Sequence, residues 1–118
     1  MQPMVNIALR AARQAGEMIV KSADSLESVQ VDEKGRYDFV TEVDRRSEET
    51  ILYHIKKAYP DHRFLCEESG ASGNPDSDVE WIIDPLDGTT NFVRGIPHVA
   101  ISIGCRVKGR LEHAVIVE

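Results

Sequence analysis

Hydrophobic residues near the start of the chain recur at the spacing of an α-helix. Within residues 3 to about 25, the side chains of Met4, Ala8, Ala11 and Ala15 fall on one face. This pattern predicts an amphipathic helix. Its small residues favour close packing against another helix, so a structural role is favoured over a functional one.

The pattern then changes to alternation. Residues 26–32 and residues 37–40 alternate between apolar and polar positions, and they flank the Gly-containing segment 33–36. Two alternating segments joined by a short turn are typical of a β-hairpin. We therefore expect a hairpin between the first helix and the next one.

A second helix is predicted from about residue 41 to Tyr59. Thr41–Asp44 has the form of a capping box with an acidic first turn, and Pro60 ends the helix. Asp44 either complements the dipole of this helix or faces a functional site, and composition alone favours the first interpretation.

The second half of the chain is dominated by strand patterns. Arg63–Cys66 predicts a short strand that leads into a pair of glutamates, and residues 70–78 predict an exposed loop. The apolar run from Trp81 predicts a buried strand that ends at Asp84, because Pro85 has no N–H to give a sheet.

Two final strands complete the predicted elements. One runs from about His98 to Val107 and the other from Leu111 to Val117, with a tight turn at Lys108 and Gly109. The fold class predicted from this order is α/β, with a mixed sheet covered by helices. Because the chain stops inside or just after a strand, we expect residues 1–118 to be the N-terminal part of a larger domain.

Composition narrows the class of protein. The chain has 118 residues, 42% of them hydrophobic and 29% charged, with a net charge of −6. This acidic balance argues against direct nucleic-acid binding, and no apolar run is long enough to span a bilayer.

Cys66 and Cys105 lie in strand-like segments, which predicts reduced, buried thiols in a cytoplasmic protein. His54 and His62 are expected at the surface.

The segment Trp81–Phe92 carries the strongest chemical signal. Asp84 and Asp87 flank Pro85, and Gly88 and Thr89 follow at the start of an expected short helix. Free amides at a helix start bind anions such as phosphate. Two acids beside such an anion site indicate divalent cations between the carboxylates and a phosphate.

A second pair of acids would meet the first if their two strands are parallel neighbours. Glu67 and Glu68 follow the strand before Asp84, so parallel pairing of the two strands would bring four carboxylates to one sheet edge, with Asp44 as a fifth. Clustered carboxylates repel one another unless they are protonated or bind cations. An all-oxygen ligand set suits Mg²⁺, Mn²⁺ or Ca²⁺ better than zinc. A two-metal site of this kind hydrolyses phosphate esters by activating water.

The segment Trp81–Phe92 resembles the first signature of the inositol monophosphatase family. Phe64–Gly70 is similar to the family's paired-glutamate segment, and Lys34 with Asp38–Asp44 is similar to its N-terminal hairpin and helix start. The resemblance runs along the whole chain and is strongest to the bacterial SuhB-type branch. It implies a layered sandwich of the inositol monophosphatase and fructose-1,6-bisphosphatase type, of which this chain is the N-terminal part.

The resemblance also implies a role for each site residue. Glu67 and Asp84 would bind one Mg²⁺ with the carbonyl of Leu86, and Asp84 and Asp87 would bind a second. Asp44 and Thr89 would activate the attacking water, and Glu68 would support the ligands. The positions implied to contact substrate are Glu67, Leu86, Asp87, Gly88 and Thr89, with Lys34 near the site. Inositol monophosphate as substrate, lithium inhibition and a homodimer are implied in the same way.

Other functions remain open from the sequence. Fructose-1,6-bisphosphatases, phosphoadenosine phosphate phosphatases and histidinol phosphatases share the fold class and have similar metal motifs. SuhB-type members also act with RNA polymerase in transcription antitermination and ribosomal RNA maturation. The family's second half supplies a further aspartate and most substrate contacts, so residues 1–118 alone are expected to be weak or inactive.

Overall fold

The computed structural model describes the backbone of residues 3–28, 33–87 and 100–117, and the side chains of residues 3–22, 42–84 and 100–117. Its elements, in chain order, are α1 (Pro3–Ser28), α2 (Glu33–Ala58), β1 (Arg63–Cys66), β2 (Gly70–Gly73), β3 (Val79–Asp87), β4 (Ala100–Val107) and β5 (Arg110–Val117). The predicted α/β class is confirmed.

The five strands form one mixed sheet in the order β2-β1-β3-β4-β5. The pair β1–β3 is parallel, which is the condition under which the sequence brings the acids together, and the other three pairs are antiparallel. The predicted hairpin of the last two strands is also confirmed, with Val107 paired to Arg110. Parallel pairing of β1 and β3 sets their carboxyl ends side by side.

One face of the sheet packs against the helices. Alternate strand residues are buried there, including Phe64, Trp81, Ile83, Ile103 and Cys105. The helices add small and β-branched side chains to this core: Ala8, Ala11, Ala12, Ala15, Ile19, Val43, Ile51 and Ile55. The alanines permit the close approach of α1 that the sequence predicted, because they keep little bulk between the helix and its neighbours.

The predicted hairpin over residues 26–40 is wrong. Helix α1 extends to Ser28 and α2 already begins at Glu33, while residues 29–32 lie outside the described part. Extending an existing helix is easier than starting one, and Glu33, Lys34 and Arg36 are good helix formers, so the β-branched residues that follow are accommodated. The capping box predicted at Thr41 is therefore also wrong, since this residue lies inside α2.

Two further boundaries differ from the predictions. Residues 70–73 form the edge strand β2 instead of a loop. At Gly73, where φ is +80°, an added Cβ would lie 2.4 Å from the carbonyl oxygen of His62, so only glycine fits. Strand β3 does not end at Asp84 but continues to Asp87, with a shift in its pairing to β4 between these two residues. Pro85, which cannot donate to a ladder, accounts for this interruption.

The opposite face of the sheet is partly apolar and partly charged, since Glu80 forms ion pairs there with Arg63 and Arg106. Leu65, Leu111 and Ile116 are exposed there, and a groove of about 340 Å³ crosses β3, β4 and β5.

Both cysteines are free and buried on the helix side, and burial raises the pKa of each thiol to about 11. No helix within the described residues combines the length and apolar character needed to cross a membrane.

His62 links the sheet to the end of α2. The indole Nε1–H of Trp81 donates a hydrogen bond of 3.0 Å to Nδ1 of His62, and the imidazole stacks on Tyr59 with ring centroids 4.7 Å apart. His62 is thus half-buried and not a simple surface residue. Burial lowers the pKa of His62 below 6.5, and the nearby Asp61 carboxylate opposes this shift only in part.

We predict that Trp81→Phe raises the pKa of His62 towards 6.5, because Nδ1 no longer needs to stay unprotonated to accept the indole N–H. In the wild-type protein the folded pKa lies below the unfolded one. The stability contributed by neutral His62 is therefore present above about pH 6.5 and is lost as the pH falls. Imidazole NMR shifts measured against pH test this.

The matched control is Tyr53→Phe, since Tyr53 is an exposed aromatic residue on α2 that does not contact His62 in the ring pairs described. A His62 midpoint that is the same in Trp81→Phe and in the wild type would contradict the prediction.

Candidate active site at the tips of β1 and β3

The backbone brings the two predicted acidic segments together. Cys66 pairs with Ile83 across β1 and β3, and the N–H of Glu67 then donates to the carbonyl of Ile83 at 3.3 Å. Glu67 and Asp84 are each the next residue beyond this pair. The two residues on which the sequence interpretation depended therefore sit at neighbouring strand positions.

Asp44 joins them from α2. It lies inside this helix, not in the first turn, and its side chain is only 8% exposed. This position excludes the interpretation that Asp44 merely complements the dipole of a helix start. Asp44 is instead buried on the sheet side of α2, which is compatible with the second interpretation, that it faces a functional site.

The electrostatics show that these acids converge. The pKa of Asp44 is raised from 3.8 to about 7, first by burial and then by the charges of Glu68, Glu67, Asp84 and Glu48. Each of the four neighbours makes a negative charge at Asp44 less favourable. Asp44 therefore takes up a proton more readily than an ordinary aspartate does.

Two of these acids have an oxygen without a partner. Oδ1 of Asp44 and Oδ1 of Asp84 are both buried and have no hydrogen-bond partner. A buried carboxylate oxygen without a partner is costly, so such atoms are expected to meet a proton, a water or a cation.

Glu48 is a residue of this region that the sequence interpretation missed. It is 3% exposed, and its two carboxylate oxygens accept hydrogen bonds from the backbone N–H groups of Glu68 (3.0 Å) and Ser69 (3.1 Å). The available signal was its position four residues after Asp44, which places both acids on one side of a helix.

Several predicted site residues are not brought together by the described structure. Gly88 and Thr89 lie outside it, and only the backbone of Leu86 and Asp87 is described, at the end of β3. Lys34 was expected on a hairpin near the site. It lies in the first turn of α2 instead, and at 1.5 Å per residue it is roughly 15 Å from Asp44 along the helix.

The donor chemistry fits a hard divalent cation. The acids contributed by α2, the turn after β1 and β3 are all oxygen donors, and two of their oxygens lack partners. Among the side chains described, however, no group of three histidine, cysteine, aspartate or glutamate residues is arranged to hold an ion unaided. Binding would therefore need groups beyond the described side chains, such as water, a phosphate or the end of β3.

Known proteins match this chain along its whole length. The profile of the inositol monophosphatase family matches residues 1–118. The Nus factor SuhB of Pseudomonas aeruginosa is 55% identical over 120 residues, which cover 100% of this chain and 44% of that protein. The chain therefore spans less than half the length of this curated relative.

Two solved structures are similar to this chain over most of its length. The extragenic suppressor protein SuhB of Bartonella henselae superposes with a TM-score of 0.84 at 36% identity, covering 98% of this chain and 43% of that one. The inositol monophosphatase of Anabaena gives a TM-score of 0.77 at 36% identity, covering 94% of this chain and 38% of that one. Together with the profile match over residues 1–118, these likenesses show that the chain belongs to the inositol monophosphatase family.

Proposed function

We propose that the protein carrying this chain is a Mg²⁺-dependent phosphatase that hydrolyses inositol monophosphate to inositol and phosphate. The observation that carries the proposal is the convergence of Glu67, Glu68 and Asp84 on the buried Asp44. Membership of a phosphatase family supports it. Lithium inhibition, a homodimer and a cytoplasmic location belong to the same proposal and are supported by family membership alone.

The proposed roles follow the chemistry of the residues. Glu67, Asp84 and the Leu86 carbonyl would hold one Mg²⁺, and Asp84 with Asp87 would hold a second. When bound, such ions acidify a water and stabilise the charge that develops on the leaving oxygen. Asp44, assisted by Thr89, would accept the proton of the attacking water at Oδ1, the atom that lacks a partner. Amides of Gly88 and Thr89 would bind the phosphate.

We expect the full-length protein to release phosphate from inositol 1-phosphate in the presence of Mg²⁺ and to stop when EDTA is added. Asp84→Asn should lower kcat/KM by at least about 100-fold, because it removes charge from both proposed ion sites. The measurement is phosphate release, with Asp78→Asn as control, since Asp78 is an exposed acid just before β3.

A panel of substrates makes this test specific. Fructose 1,6-bisphosphate, phosphoadenosine phosphate and histidinol phosphate should be turned over more slowly than inositol 1-phosphate. Preference for one of them would overturn the assignment of the substrate while keeping the reaction class. No Mg²⁺-dependent release from any ester would overturn the proposed function.

We also predict that Asp44→Asn stabilises the metal-free protein at neutral and alkaline pH. The raised pKa of Asp44 means that its contribution to stability is favourable below pH 3.8 and is lost as the pH rises through about 7. At about 1.4 kcal/mol per pKa unit, the amide should gain up to about 4 kcal/mol at pH 8. Denaturant unfolding in EDTA measures this.

The gain should shrink as the pH falls and vanish below about pH 3, where the Asp44 carboxyl is protonated in both states. Glu42→Gln, an exposed acid on α2, should change the free energy of unfolding by less than about 0.5 kcal/mol. An Asp44→Asn variant that is less stable than the wild type at pH 8 in EDTA would contradict the prediction.

A second function is favoured by the names of the relatives, which are described as Nus factors. We propose it as the alternative: a role in transcription antitermination and ribosomal RNA maturation through RNA polymerase. Asp84→Asn separates the two functions in a polymerase pull-down. Binding that survives the loss of phosphatase activity would mean that the two functions coexist, whereas binding without any activity in the wild type would favour the alternative.

We further propose that this chain is the N-terminal, metal- and phosphate-binding part of a larger domain. The length of the relatives supports this, and so does the open sheet face with its exposed Leu111 and Ile116. The groove on that face reaches Asp84. A segment that covered the face would therefore also border the acidic cluster, which explains why residues 1–118 alone are expected to show little activity.

In the full-length protein, Ile116→Thr should lower the free energy of unfolding by about 2 kcal/mol, as expected for a polar group placed in a buried apolar site. Val20→Thr is the matched control, because Val20 on α1 is 64% exposed and Ile116 is 67% exposed in this chain. Equal, small effects of the two substitutions would show that the sheet face stays uncovered.

A further inference from the structure

Three consecutive backbone amides in the turn after β1 donate hydrogen bonds to neighbouring elements. The N–H of Glu67 donates to the carbonyl of Ile83 in β3, and the N–H groups of Glu68 and Ser69 both donate to the carboxylate of Glu48 in α2. The turn that carries the two glutamates is thus held between the two elements that carry Asp84 and Asp44.

We propose that Glu48 is a positioning residue for the ion site. By binding both amides, it fixes the turn at residues 67–69 so that Glu67 and Glu68 face Asp44 and Asp84. This inference rests on the proposed function, since it assigns Glu48 a task in a site that binds divalent cations. It assigns Glu48 to the turn and not to the ion, since each of its carboxylate oxygens accepts a hydrogen bond from an amide of the turn.

The burial of Glu48 fits such a role. Its side chain is only 3% exposed, and burying a carboxylate carries a large desolvation cost unless its oxygens are hydrogen-bonded. Two charge-assisted hydrogen bonds to amides offset part of that cost, and they are stronger and more directional than bonds to a neutral acceptor. Groups that orient metal ligands are held by contacts of this kind.

Length and charge can be varied separately at this position. Glu48→Gln keeps the length of the side chain but loses the charge and one acceptor oxygen. Glu48→Asp keeps the charge but is one methylene too short to reach both amides without movement of α2. If Glu48 acts by holding the turn in place, both variants should bind the ion more weakly. If Glu48 merely attracted cations by its charge, Glu48→Asp would bind the ion as well as the wild type does.

The experiment measures Mn²⁺ binding by electron paramagnetic resonance in the full-length protein, with amide hydrogen exchange at Glu68 and Ser69 and phosphate release alongside. Both variants should bind Mn²⁺ about 10-fold more weakly and exchange these two amides faster. Their phosphatase activity should be partly restored by high Mg²⁺, which a general loss of folding would not allow. Glu49→Gln, the exposed neighbour on α2, is the matched control.

Unchanged Mn²⁺ affinity in both variants, with the wild type binding Mn²⁺ normally, would overturn the role of Glu48 and leave the proposed function intact. Retained affinity in Glu48→Asp alone would also overturn it, in favour of simple charge attraction. A wild-type protein that binds no Mn²⁺ and releases no phosphate would instead overturn the proposed function, and the positioning role with it.

Discussion

Repulsion between acidic side chains is the constraint on which the rest of this structure depends. Asp44 comes from α2, Glu67 and Glu68 from the turn after β1, and Asp84 from β3, and the charges of the last three all raise the pKa of the buried Asp44. Like charges at a protein surface drift apart when the backbone allows it. Here the parallel pairing of β1 with β3 and the packing of α2 across them keep the charges close.

The apolar core directly beneath the acids resists this repulsion. Phe64, Trp81 and Ile83 are almost fully buried on the same strands, within a few residues of the acidic tips. Burying a large apolar side chain contributes roughly 1.5–3 kcal/mol, so a few such residues outweigh the cost of one crowded carboxyl group. The hydrogen bond from Trp81 to His62 adds a polar contact near the other end of β3. The acids are crowded, while the layer below them is a buried apolar core.

Sequence patterns were sufficient where local order decides the structure. The strands β1 and β3 were predicted from two apolar runs that each lead into acids, and the hairpin of β4 and β5 from alternation around Gly109. That β1 and β3 pair in parallel was a condition of the interpretation, which only the structure could meet. The patterns failed where packing overrides local preference. Residues 37–40 alternate like a strand but lie inside α2, and Gly70–Gly73 looks like a loop but pairs with β1. Pro85 interrupts the pairing of β3 without ending the strand, because β4 resumes contact at Asp87.

The sequence predicted part of the acidic cluster, but it could not distinguish the roles of the two acids on α2. Asp44 and Glu48 are four residues apart on α2, about 6 Å along its axis, and both are buried carboxylic acids. Spacing alone cannot tell them apart. Their hydrogen bonds can: both oxygens of Glu48 accept backbone amides, while Oδ1 of Asp44 accepts nothing. An acid whose bonding capacity is used by the backbone serves to hold the fold in place. One whose oxygen is left over, among other negative charges, is available for a proton or a cation, and that difference exists only once the turn after β1 has folded against α2.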